Sequence, residues 1–288
     1  MPRGRKIAAT VAGAIAGAIA VGLTCLAGLL VLAPTTDDFA LRLAAPAVLP
    51  PPPLTVREAR LAVREHAAVN RVLRYTRMVS SGGSRVREIA LTFDDGPSPF
   101  TPPIIAILQR LHVPATFFQV GAQIANFPRI ARQELEVGLG IGDHTLTHPF
   151  LAVLPPAQQR AEIIGDARQI HAYGAPYPRL FRPPYESFSH VTLAAAAGVR
   201  MLMVLWSVDT RDFSRPGARQ IADTAISGAR PGAIILLHDG GGLREQTVAA
   251  LPLIVRGLRQ RRYRLVTIGR LLLEDPPSRS ARGRPRHR

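Results

Sequence analysis

From Val86 onward the chain alternates between two kinds of segment. Apolar, β-rich runs lie at 86–93, 115–120, 137–142, 178–182, 200–208, 233–238 and 264–268. Between most of them lie patterns with helical spacing, near 101–111, 125–136, 156–173, 190–197, 217–229 and 244–261. Strands that alternate with helices predict a parallel sheet, open or closed into a barrel. In a barrel of this kind the chemistry sits at the C-terminal ends of the strands. The chain has 288 residues, 47% of them hydrophobic, enough for one domain of moderate size with a real core.

The segments outside this pattern differ in character. Residues 7–33 carry no charge and are long enough to cross a bilayer, which needs about 20 residues. Arg3, Arg5 and Lys6 precede the run, and Asp37 and Asp38 follow it. That asymmetry predicts an uncleaved single-pass anchor, with residues 1–6 cytoplasmic and the rest of the chain outside. A cleaved, secreted form is the other outcome: a signal peptidase could cut after Ala33, but Pro34 disfavours it. A stiff polyproline spacer follows at 45–53. Thr55 and Glu58 then make a capping-box pattern ahead of an amphipathic helix reaching about Val79, which "SSGGS" (80–84) closes with a flexible break. These features divide the chain into 1–6, 7–33, 34–85, a main domain over 86–275 and a basic tail over 276–288, expected to be disordered.

The net charge is +16, and Lys6 is the only lysine. Five arginines, at 279, 282, 284, 286 and 288, crowd the tail without an acid. Such a balance suits an anionic wall polymer or lipid surface. No nucleic-acid motif accompanies it, so no nucleic-acid partner is expected. Cys25 is the only cysteine, which excludes an intramolecular disulfide and a cysteine metal site.

Ionisable clusters follow five of the runs. Asp94 and Asp95 end the first, "HTLTH" (144–148) the third and "RPPY" (182–185) the fourth. "WSVDTRDF" (206–213) ends the fifth and "LLHD" (236–239) the sixth. All lie at the same end of their strands and converge on one mouth. Pro149 limits the His144–His148 segment to a turn, which can still aim both imidazoles at one point. Two histidines and one carboxylate form a facial set with open positions, as catalytic metals need. One of the two aspartates can then bind the metal while the other stays free as a base, with Arg182 as a counter-charge.

TFDDG, HTxxH, RPPY, a tryptophan-flanked DxxD and LxH, in this order, resemble the polysaccharide deacetylase family, carbohydrate esterase family 4. The likeness covers about residues 86–272. It implies a distorted (β/α)7 barrel, a divalent metal (zinc foremost, cobalt or another transition metal as alternatives) and removal of N-acetyl groups from amino sugars. Carried over, Asp94 is the catalytic base, and Asp95, His144 and His148 are the metal ligands. Arg182 braces Asp94, the Tyr185 N–H helps hold the oxyanion, His238 is the general acid and Asp212 orients it. Leu236 shapes the acetyl pocket, and Trp206, Phe213 and Tyr185 contact substrate. Asp209 is a neighbour of these groups. Three positions depart from the family pattern: Glu186 stands for a glycine, Phe213 for a tryptophan and Gly140 for a glutamate.

The resemblance implies an enzyme acting on an acetylated amino-sugar polymer of the envelope, peptidoglycan first and chitin-like oligosaccharide second, through a monomeric catalytic domain. Two alternatives stand beside it: an O-acetyl esterase on acetylxylan-like glycan, and an inactive carbohydrate-binding barrel. The intact aspartates, histidines and Arg182 speak against the last. His66, His112, His171, His190 and His287 are expected in surface or capping roles.

Overall fold

The longest strand, β2 (Glu88–Gly96), is buried along nearly its whole length, so it needs neighbours on both edges and cover on both faces. In the computed structural model, which describes residues 56–279, it has both. β3 (Thr116–Gln119) pairs with one edge and β8 (Ile234–His238) with the other, both in parallel. Beyond β3 follow β4 (Gly140–Asp143), β5 (Leu180–Phe181), β6 (Leu202–Val204) and β1 (Met78–Val79), and beyond β8 lies β7 (Val208–Asp209). β9 (Arg264–Val266) pairs with the first residues of β2. Every one of these strand pairings is parallel.

The sheet curls into a distorted barrel. β6 and β7 stand near opposite ends of the strand order, yet only Leu205–Ser207 separates them in sequence. Leu205 N donates to Val79 O (2.8 Å), and two residues later Ser207 N donates to Ile234 O (3.0 Å). The chain thus steps from one end of the sheet to the other, and the single expected run 200–208 becomes two short strands.

The helices follow the expected spacing: α2 (Thr101–Arg110), α3 (Gly121–Asn126), α4 (Pro128–Glu136), α5 (Pro156–Ala172), α6 (His190–Gly198), α7 (Ala218–Ser227), α8 (Glu245–Gln260) and α9 (Ile268–Glu274). The segment expected as one helix over 125–136 is two. Phe127 precedes Pro128 and leaves helical geometry (φ −129°, ψ 54°), as the proline ring demands. Strand alternation divides the core. Ile89, Leu91 and Phe93 pack under α2, α7 and α8, while Ala90 joins Phe118, Leu202, Val204 and Ile234 in a second cluster.

Two expectations about residues 55–85 are corrected. Helix α1 (Val56–Leu73) stops at Leu73 rather than Val79, because Tyr75 N and Thr76 N both close onto Val72 O and the Thr76 hydroxyl donates to Met78 O (2.8 Å). Met78 and Val79 then run as β1 beside β6. "SSGGS" is not a flexible break. Gly82 N donates to Gly232 O (2.8 Å) and Gly83 N to Asp275 O (2.6 Å). A side chain on Gly83 would meet the Asp275 carboxylate at 2.2 Å, so glycine is what allows the close approach. Ala68, Val69 and Val72 of α1 are buried with Leu271 and Leu272 of α9. At the other end, Pro277 O accepts from Tyr75 Oη (2.9 Å). The apolar segment 7–33, the spacer 45–53, Thr55 and residues 280–288 lie outside the described residues. Among the described residues no helix is long and apolar enough to cross a membrane.

A chain that starts at Val86 lacks α1 and β1. Burial of each valine is worth about 1.5–3 kcal/mol. Such a truncation should therefore melt at least roughly 10 °C below a chain starting at Val48, given a few degrees per kcal/mol for a domain this size. Thermal unfolding followed by circular dichroism checks this; equal midpoints would show α1 and β1 to be dispensable.

Candidate active site

Adjacent residues of a regular strand point to opposite faces, so Asp94 and Asp95 should diverge. They do not, because β2 breaks register with β3 between Asp94 and Gly96, and Asp95 takes a left-handed conformation (φ 74°). The bulge turns both carboxylates into the mouth. The loop after β8 lies directly on this turn: a side chain on Gly241 (φ 71°) would meet Asp95 Oδ2 at 2.3 Å.

Asp94 is held from below by Arg182, which is fully buried. Arg182 Nη1 donates to Asp94 Oδ1 (2.7 Å) and to the Thr92 hydroxyl (2.8 Å), and Nε donates to Val204 O (2.9 Å). Its guanidinium lies over Phe118 at 4.1 Å, with half-buried Trp206 at 5.7 Å. Burial lowers the arginine's pKa, and Asp94 opposes the shift.

His144 and His148 converge on Asp95. Their Nε2 atoms lie 3.3 and 2.9 Å from Asp95 Oδ1. Burial would raise the Asp95 carboxyl, but hydrogen bonds from the two histidines hold it well below the usual range. Each imidazole is oriented through its other nitrogen, His144 Nδ1 by Arg182 O (2.7 Å) and His148 Nδ1 by Tyr185 Oη (3.0 Å). That leaves both Nε2 atoms for a ligand. The three donor atoms lie within 4.8 Å of one another. Two imidazoles and a carboxylate, each with a supporting partner, fit a first-row divalent cation.

The third element is His238 with Asp212. His238 Nδ1 lies 2.6 Å from Asp212 Oδ1, and His238 N donates to Asp212 Oδ2 (2.8 Å). Burial favours the neutral imidazole, but the bond to Asp212 and its charge outweigh burial and raise the pKa from 6.5 to about 9. A pKa raised on folding means that the contribution of the His238 titration to stability is complete below pH 6.5 and lost as pH rises through about 9, while the lowered Asp212 pKa means that the pair is weakened again in acid.

The remaining expected residues are placed as follows. Leu236 is buried on β8 opposite Thr92 and Asp209. Phe213 stands edge-on to His238, 5.7 Å away, and is half exposed. Asp209 accepts from Arg211 N (2.8 Å) in a local turn. Gly140 pairs with Thr116 at the start of β4, at the far end of that strand from His144. Tyr185 and Glu186 both have positive φ, 57° and 55°, a conformation that costs residues other than glycine about 1–2 kcal/mol.

Several supporting residues were not foreseen. The Thr247 hydroxyl donates to Asp212 Oδ2 (2.7 Å). Asp166, from the middle of α5, accepts from His144 N (2.9 Å), and Asp143 accepts from Thr145 N (3.0 Å); burial pushes both carboxyls well above the usual range. Asp239, beside His238, is buried against the Thr101 hydroxyl, and burial raises its pKa to about 7. Only Asp239 sits inside a motif, so only it carried a local signal.

Comparison with known proteins agrees with this geometry. Residues 81–203 match the family model described as polysaccharide deacetylase. A chitooligosaccharide deacetylase of Bradyrhizobium sp. (strain ANU 289) is 38% identical over 195 residues, which span 63% of this chain and 89% of the relative. A peptidoglycan-N-acetylglucosamine deacetylase of Bacillus cereus is 37% identical over 187 residues, 64% of this chain and 87% of the relative. Among solved structures, the peptidoglycan N-acetylglucosamine deacetylase Bc1960, in complex with 4-naphthalen-1-yl-N-oxidanyl-benzamide, aligns with a TM-score of 0.68 at 33% identity, covering 72% of this chain and 97% of that one. This chain belongs to the polysaccharide deacetylase family. It is accordingly a hydrolase of linear amides, a polysaccharide N-deacetylase.

Replacing Glu186 by glycine removes a left-handed penalty at an exposed position. Glu186→Gly should stabilise the protein by about 1 kcal/mol, after the entropy that glycine adds to the unfolded chain. Urea unfolding midpoints at constant slope measure it, and a destabilised variant would show that the Glu186 side chain makes a compensating contact.

Proposed function

We propose that the protein is a membrane-anchored, metal-dependent N-deacetylase of an acetylated amino-sugar polymer of the cell envelope, with peptidoglycan favoured over chitin-like oligosaccharide. The observation that carries this reading is the donor set Asp95, His144 and His148, flanked by the Asp94–Arg182 and His238–Asp212 pairs. The anchor is residues 7–33, with the catalytic domain outside, and the basic tail meets an anionic wall polymer or lipid; uncharged length and flanking charge support the first, and five arginines the second.

When bound at the donor set, a divalent cation, zinc foremost, supplies Lewis acidity towards water and an amide carbonyl. Asp94 takes the proton of the attacking water. Its Oδ1 is occupied by Arg182, so Oδ2, the oxygen facing His144 Nε2 at 3.8 Å, does this. The Tyr185 N–H donates to the developing oxyanion. His238 gives a proton from Nε2 to the leaving nitrogen, since Nδ1 is committed to Asp212. The C–N bond breaks, and acetate and a free amine result. Leu236 and Trp206 border the acetyl group, and Tyr185 and Phe213 meet the sugar.

Acetate release from peptidoglycan, chitooligosaccharides and acetylxylan, with zinc or cobalt added, tests the reading. Release from acetylxylan alone would overturn it. Asp94→Asn should keep its metal, because the three ligands remain, and lose about 10²–10⁴ in rate. Asp95→Ala should lose metal, since one of three protein ligands is gone; bound zinc measured on the same preparations separates the two. Activity should also fall as pH rises through about 9, where His238 loses its proton. Asp212→Asn removes the group that raises this pKa, so that limb should move down towards or below pH 6.5. An unmoved limb would mean that another group is the acid.

A further inference from the structure

Four rings lead out of the donor set in unbroken contact. His144 and His148 have centroids 5.0 Å apart, His148 and Tyr185 4.7 Å, and Tyr185 and Phe150 4.0 Å. The first contacts are edge-on, whereas Phe150 and Tyr185 stack nearly parallel, at 14°. Burial falls along the series, from His144 at 2% exposed to Tyr185 at 57% and Phe150 at 56%. Large apolar side chains this exposed, grouped beside a reaction centre, mark a surface that something covers.

The exposure of Phe150 is not a loose loop's. Leu151, the next residue, is fully buried with Ile163, Phe181 and Met203. Ala152 N donates to the Ser187 hydroxyl (3.1 Å), which ties the loop after β4 to the turn that carries Tyr185. The two rings are therefore fixed before any ligand arrives, which reduces the cost of binding.

We propose that Phe150 is a specificity-determining residue: it offers an aromatic face to the sugar ring next to the one losing its acetyl group. This rests on the deacetylase reading above. A β-linked aminosugar presents a face of C–H groups, which an exposed aromatic ring can cover while the ring's polar edges stay in water. Tyr185 meets the reacting unit near the donor set, and Phe150, one ring further out, is reached only by a chain of at least two units. The protein thereby favours oligomers over short substrates.

The test uses full-length protein and N-acetylglucosamine oligomers. In wild type, kcat/KM should rise from dimer to tetramer. Phe150→Ala should cut the tetramer-to-dimer ratio about 5–10-fold, mainly through KM, and Phe150→Trp should restore it. Tetramer affinity, measured by calorimetry in the zinc-loaded Asp94→Asn background, should weaken by the same factor without any turnover being needed. If wild type binds the tetramer but releases no acetate, the deacetylase reading fails and the affinity arm alone decides on Phe150. An unchanged ratio with unchanged affinity would overturn the proposal, as would a tetramer that does not bind. Loss of zinc in Phe150→Ala would overturn it too, because the ring would then serve only to hold Tyr185 against His148.

Discussion

A buried arginine holds this site together. Arg182 lies wholly inside the barrel, where an uncompensated charge costs several kcal/mol. Every compensation it finds joins two parts of the fold. Its side chain reaches Asp94 and Thr92 on β2 and carbonyls at the end of β6. Its own carbonyl orients His144. One residue thus fixes the direction of the Asp94 carboxylate and of one imidazole of the Asp95, His144 and His148 donor set. Removing it would leave Asp94 buried without a partner and His144 differently placed, so loss of charge and loss of geometry cannot be separated there.

Much of the remaining precision comes from backbone that leaves regular structure. Asp95, Thr145, His148 and Tyr185 all have positive φ without being glycine. Each stands at or just past the C-terminal end of a strand, where a side chain must be re-aimed across the mouth. Such conformations persist only where surrounding contacts over-determine them. Those contacts are present: Thr145 N donates to Asp143, His148 N to the Thr145 hydroxyl, and the Gly241 turn presses on Asp95.

Alternation of apolar runs and helical spacing was enough to read a parallel sheet, open or closed, the motif resemblance implied its closure into a barrel, and clusters at strand ends were enough to read which residues meet. Local rules failed where a tertiary contact decided the outcome. "SSGGS" has the composition of a linker, yet its glycines serve the close passage of Gly232 and Asp275. The run 200–208 reads as one strand because nothing local shows that Leu205 and Ser207 find partners at opposite ends of the sheet. Asp166 sits on a helix 22 residues after His144 and reaches it only through folding. Phe150 follows a motif closely but looks like any apolar residue before a helix; its exposure gives it meaning, and exposure is not written in sequence.

The two-residue strand β1 has a consequence out of proportion to its length. Without it, β6 would offer a free row of amide and carbonyl groups to solvent, a ready template for a strand from another molecule. Met78 and Val79 occupy that row, and the Leu205 amide is capped by Val79. A stretch of chain ahead of the first motif strand therefore covers the β6 edge and leaves only two residues as the last strand in the order, which is one way a sheet blunts its edge.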